Sequence, residues 1–152
     1  MEHQYKGMSY WETHFHNKLD QNVTIPKLMK RRALEHPSKD AYIVRPKPGP
    51  RQHITFRNLL RDAQLLATAF QEDLGLKKGD FVIIAGDTSL EWILCDLACA
   101  ISGIITIRCR VSLLTKDILM RIIKDNNVQV LFFHPGIKGE FLEFLHNCLP
   151  TK

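Results

Sequence analysis

The side chains best suited to chemistry in this sequence are its four cysteines, its seven histidines and a short turn at Gly86-Asp87-Thr88-Ser89. Cys95, Cys99, Cys109 and Cys148 contain no CxxC pair and have no histidine at knuckle spacing, so they do not form a zinc motif. Cys95 and Cys99 stand four apart in an apolar segment, which predicts buried free thiols in a reducing compartment. His14 and His16 could begin a metal pair, but no further ligand lies near them. The Gly86 turn follows an apolar run, where a phosphate-binding turn would stand, yet it is neither GxGxxG nor a Walker loop. A helix starting at Ser89 could draw an anion to its free N–H groups, although a structural cap is the expected role. Glu91 lies at capping-box spacing from Thr88, which accounts for its carboxylate without acid–base chemistry. Asp80 is expected to bond turn amides, Asp62 to lie on the polar side of a helix, and Ser112 has no GxSxG context. Trp92 sits beside an apolar stripe and reads as a core-edge aromatic rather than a ligand platform. These residues yield no catalytic, cofactor-binding or metal-binding set.

The elements that would position such residues follow from periodicity. Thr24 caps a helix with Pro26 in its first turn and Ile25, Leu28, Met29 and Ala33 at helical spacing; His36-Pro37 stops it. Ala41–Val44 and Gln52–Thr55 read as strands of a hairpin whose tip is Pro46-Lys47-Pro48-Gly49-Pro50. Leu59, Leu60, Ala63, Leu66, Ala67, Phe70 and Leu74 predict an amphipathic helix ended by left-handed Gly75.

From residue 81 the pattern alternates. Phe81–Ala85 is apolar throughout, as in a strand buried on both faces. A helix carrying Leu90, Ile93, Leu94, Leu97, Ala98 and Ile101 follows, closed by Gly103. Ile104–Cys109 is a second buried strand, Thr115–Lys124 a helix ending at Asn126-Asn127, Val128–Phe133 a third strand and Gly139–Leu149 a last helix. Strand–helix alternation predicts an α/β fold: a parallel sheet in three αβα layers, preceded by a helix and a β-hairpin. Residues 1–23 read as an irregular arm and 24–152 as the folded unit.

Composition sets the outer limits. The 152 residues, 45% hydrophobic and 24% charged, are enough for one globular domain and exclude disorder or a disulfide scaffold. The longest apolar run, Ile93–Ile101, is broken by Asp96 and falls short of the roughly 20 residues of a membrane span. The net charge of +5 is spread along the chain with no basic stripe among aromatics, so no nucleic-acid surface is expected. Met1–Trp11 has neither a secretory pattern nor the arginines of a mitochondrial presequence. A cytoplasmic location is expected, or a mitochondrial one if a presequence is missing from this chain.

Several segments, taken in order, resemble one family. Ala33-Leu34-Glu35-His36-Pro37-Ser38-Lys39-Asp40-Ala41 is similar to "A-x-x-x-P-x-x-x-A", and Thr55-Phe56-Arg57-Asn58-Leu59 to "T-[YF]-x-[ED]-L". Gly75-Leu76-Lys77-Lys78-Gly79-Asp80-Phe81-Val82 resembles "G-[VL]-x-x-G-D-x-V", and Thr88-Ser89-Leu90-Glu91-Trp92 resembles "N-S-x-E-W". Leu97 to Ile104 is similar to "L-A-x-x-x-A-G-[AI]". These are motifs of the adenylate-forming superfamily of acyl-CoA synthetases, adenylation domains and luciferases, and the look is nearest to medium-chain fatty acid–CoA ligases. The likeness runs over about residues 24–149 and departs at Thr88, where the family has Asn, and at Arg110-Val111, where it has Asn-Pro.

The resemblance implies an enzyme that activates a fatty acid with ATP and magnesium and passes the acyl group to CoA. It also implies that the family's Ser/Thr/Gly-rich phosphate loop, ribose-binding aspartate and lid lysine would lie beyond Lys152, so no catalytic residue carries over. The expectation is therefore the N-terminal part of a ligase-like protein that is inactive as an isolated chain and binds no cofactor by itself. Two rivals stand beside it: a non-catalytic interaction module using an exposed sheet edge, with self-association as one outcome, and a nucleotide sensor built on the Ser89 helix end.

Overall fold

The computed structural model describes residues 23–45, 48–110 and 115–133. Helix α1 spans Ile25–Glu35, strands β1 and β2 span Asp40–Val44 and Gln52–Thr55, and helix α2 spans Phe56–Glu72. Then β3 (Phe81–Ala85), α3 (Leu90–Ser102), β4 (Ile105–Cys109), α4 (Lys116–Asn126) and β5 (Val130–Phe133) alternate.

Each helix start has a local cause. Thr24, Thr55, Ser89 and Thr115 sit in extended backbone and their hydroxyl oxygens accept the N–H groups of Lys27, Asn58, Trp92 and Ile118. Such caps contribute about 1 kcal/mol each. The cap of α3 is Ser89, not Thr88, so the Thr88–Glu91 capping box is not formed and Glu91 lies in the first turn of α3 instead. Helix α3 ends on Gly103 at φ 71° and α4 on Asn127 at φ 48°, both left-handed. Helix α2 ends at Glu72, so Leu74 lies past it and is exposed. Gly75, at φ 65°, turns the chain so that the Leu76 N–H reaches the Phe70 carbonyl at 3.0 Å.

The hairpin β1–β2 is antiparallel, with an irregularity between Asp40 and Tyr42. His53 Nδ1 and Asp40 Oδ2 lie 2.6 Å apart across it. The main sheet is parallel with order β4-β3-β5. From β3 the chain crosses one way to β4 through α3, then back past β3 to β5 through α4. Right-handed crossovers in opposite directions put α3 and α4 on opposite faces. Val82 on one face packs with Ala67, Phe70, Leu76, Ala98 and Cys99 of the α2–α3 layer. Ile83 and Ala85 on the other face pack with Leu119 of α4. The three αβα layers follow.

Burial refines two expectations. Central β3 is buried from Val82 to Ala85. Among the described residues strand β4 stands at the sheet edge and is not a second buried strand: Ile105 is 43% exposed and Arg108 is exposed. In α1, Ile25 and Leu28 are exposed, and the half-buried positions are Pro26, Met29 and Ala33. Pro26 and Met29 meet Leu60 and Ala63 of α2 and Leu97 and Ile101 of α3. The apolar spacing is helical as expected and Met29 and Ala33 lie on the docked side, but Pro26 takes the place of Ile25 and Leu28 there. The proposed helix at 139–149 lies outside the described residues.

Candidate functional site

In a parallel α/β sheet, ligand clefts form where loops leave the carboxyl ends of the strands. Here that end carries a cleft of about 550 Å3 lined by Gly86, Asp87, Thr88, Trp92, Arg108, Cys109 and Arg110. A second recess of about 180 Å3 adjoins it between β3, β5 and the start of α3, with Trp92, Cys95, Phe132 and Phe133 in its wall. The Gly86 N–H donates to the Cys109 carbonyl at 3.2 Å, which holds the turn after β3 against β4.

A polar cluster joins α3 to β4 beside the cleft. Asp96 accepts the Thr106 hydroxyl at 2.9 Å and faces Arg108 Nε at 3.3 Å. The Arg108 guanidinium also sits 5.9 Å from the centre of the Trp92 ring, within cation–π range. Asp96 thus stands in the apolar run Ile93–Ile101 because it serves β4 from the edge of α3. That polar interruption was the available sequence signal for the cluster, together with the alternation that sets Thr106 and Arg108 on one side of β4. Trp92 is at the core edge, as expected, and it also walls the cleft.

The thiols are not poised as nucleophiles. Burial pushes Cys95 and Cys109 above the ordinary thiol range, with the nearby carboxylates of Glu91 and Asp96 adding to the shift at Cys95. Burial pushes Cys99 up to about 12. A protonated thiol is a poor nucleophile and metal ligand. All three are free cysteines. Asp80 accepts the Lys77 N–H at 2.7 Å, the turn role expected of it. Asp62 pairs with Arg61 at the helix surface. His14, His16, Ser112 and Cys148 lie outside the described residues.

Among the described residues no group of three His, Cys, Asp or Glu side chains is placed to hold a metal ion. The cleft is lined by two cationic residues, Arg108 and Arg110, with Asp87 and the aromatic Trp92, a set suited to binding and orienting a ligand. No helix among the described residues is long and apolar enough to cross a membrane.

Solved structures share this arrangement. A fatty acid AMP ligase from Legionella pneumophila matches with a TM-score of 0.66 at 23% identity, over 76% of this chain and 20% of its own. A fatty acyl CoA synthetase of Mycobacterium tuberculosis matches with a TM-score of 0.63 at 23% identity, over 72% of this chain and 21% of its own. The N-terminal subdomain of Klebsiella oxytoca NpsA matches with a TM-score of 0.64 at 20% identity, over 84% and 34%. At such identities the likeness is one of fold, and the chain spans a fifth to a third of these relatives' length. No curated protein matches the chain. The family model for AMP-binding enzymes matches residues 29–149, from α1 through all five strands, and the chain belongs to that family, in the N-terminal part of its fold.

Proposed function

We propose that this chain is the front portion of an ATP-dependent fatty acid–CoA ligase-like protein, one that forms an acyl-adenylate and then an acyl-CoA when the family's remaining motifs are present. The observation that carries the reading is the family match over residues 29–149 on a chain with the matching αβα layers. In this reading residues 24–152 are scaffold, with β3 and β4 presenting the loops of the carboxyl-end cleft, and residues 1–23 are an arm. ATP, magnesium, CoA and fatty acid are ligands of the completed enzyme. Free thiols at Cys95, Cys99 and Cys109 favour a reducing compartment such as the cytoplasm.

As an isolated chain it is expected to be inactive, because its 152 residues contain no Ser/Thr/Gly-rich loop with a lysine to hold a triphosphate. A pyrophosphate-release assay with fatty acid, ATP and CoA tests this, and turnover by the purified chain overturns the inactivity. The genomic frame downstream of the Lys152 codon tests the larger claim. A continuing frame that encodes such a loop is the expected result, and its absence counts against the ligase reading. The second reading, an interaction module, is supported by the position of β4 at the edge of the sheet formed by the described residues.

A further inference from the structure

We infer that the carboxyl-end cleft and the recess beside it form one site for a small aryl phosphate, a single aromatic ring bearing a phosphate group. Such a site depends on neither the ligase nor the interaction-module reading.

The two hollows share a wall. Gly86, Asp87 and Trp92 line both, so cleft and recess meet at the Trp92 ring. Their chemistry differs. The recess, about 180 Å3, has Trp92, Phe132, Phe133 and Cys95 in its wall. Burial raises the Cys95 thiol above its ordinary range, so it stays a neutral part of that wall. An apolar cavity of about 150 Å3 is enough to take a benzene ring. Three aromatic walls favour a ring over an alkyl chain, because rings gain from stacked and edge-to-face contacts.

The cleft, about 550 Å3, brings two arginines to the other side of Trp92. Arg108 turns its Nε to Asp96 at 3.3 Å, which leaves the terminal amino groups of the guanidinium for a second anion. Asp96 and Trp92 also hold that guanidinium in place, so little side-chain freedom is lost on binding. Arg110, one residue beyond β4, lines the same cleft. Helix α3 begins beside it behind the Ser89 cap, and a helix N-terminus carries partial positive charge. A singly charged carboxylate is matched by one guanidinium, whereas two guanidinium groups suit a doubly charged phosphate. Asp87 lines the cleft and Glu91 the recess. Their carboxylates repel an anion on the α3 side and confine the phosphate to the arginines of β4. A ring in the recess and a phosphate on the arginines then bracket Trp92.

Isothermal titration calorimetry of the 152-residue chain with phenyl phosphate tests the site. Binding in the micromolar-to-millimolar range is expected for a ligand of this size. Inorganic phosphate and phenol, which each fill one hollow, should bind at least about tenfold more weakly, and so should benzoate with its single charge. Arg110→Gln should weaken phenyl phosphate about tenfold. Cys95→Met, which fills the recess, should weaken phenyl phosphate and leave inorganic phosphate unchanged. Arg110 is exposed, so its variant keeps the fold even if Cys95→Met does not, and circular dichroism checks both. Absence of heat with phenyl phosphate, or an unchanged affinity in Arg110→Gln, overturns the inference. Benzoate or inorganic phosphate binding as tightly as phenyl phosphate does so too. AMP binding more tightly than phenyl phosphate would make this a nucleotide site and also overturn it. None of these outcomes bears on the ligase reading, which the frame downstream of Lys152 tests.

Discussion

The ring of Phe70 in α2 stacks on that of Phe132 in β5, with 4.7 Å between centroids and 21° between planes. This contact ties the front helical layer to the last strand of the parallel sheet. Phe70 is buried and belongs to the cluster centred on Val82, against which Phe132 packs. A double-mutant cycle of Phe70→Leu and Phe132→Leu, read by urea denaturation, should show a coupling of about 0.5–1.5 kcal/mol. Additive single effects would mean that the stacking contributes nothing beyond area.

Gly103 closes α3 in the left-handed region, and a Cβ placed there would lie 2.9 Å from Lys78 Cγ. Gly103→Ala should therefore cost about 1–2 kcal/mol from backbone strain together with the displaced lysine stem. Adding Lys78→Ala should recover the steric part only. Thermal melts of the two variants check this, and full recovery in the double variant would assign the whole cost to the lysine.

Alkaline stability should carry the mark of Cys99. Its thiol is fully buried and pushed from its ordinary value near 9 up to about 12. Above about 9 the unfolded chain loses this proton while the folded chain keeps it. The contribution is complete below that pH and falls as pH rises toward about 12, by at most about 1.4 kcal/mol per unit. The drop in melting temperature between pH 9 and pH 11 should be shallower in Cys99→Ala than in the parent. Equal slopes in the two proteins would refute the assignment.

Asp96 is predicted to hold the wall of the cleft. Asp96→Ala removes the acceptor of the Thr106 hydroxyl and the carboxylate facing Arg108, and should cost about 1–2 kcal/mol. In a Trp11→Phe background, Trp92 is the remaining tryptophan, since the chain has 2. Freeing Arg108 from Asp96 should shift Trp92 emission to longer wavelength as the ring loses its cover. Unchanged emission would mean that the Arg108–Trp92 contact does not depend on Asp96.

Much of the architecture was legible because it is written in local rules. The cap at Thr24, the stops at Gly103 and Asn127, the hairpin around the proline-rich tip and the strand–helix alternation each depend on a few neighbouring residues. The apolar run of β3 announced a central strand, and the ordered motifs from Ala33 to Ile104 announced the family. The sequence offers both Thr88 and Ser89 as caps, since both can accept the same kind of bond, and only the path of the chain out of β3 selects Ser89.

Residue order determined the elements, their types and their α/β alternation, because helix and strand periods, caps and turns act over a few residues. Tertiary structure decided that β3 is central and β4 an edge, which α1 residues dock, and that Asp96, Thr106, Arg108 and Trp92 meet at one cleft. Those outcomes depend on crossover direction and on packing between segments distant in the chain. Ile104–Cys109 looks as apolar as many central strands do, and only its neighbours in space place it at the edge of the sheet that the described residues form.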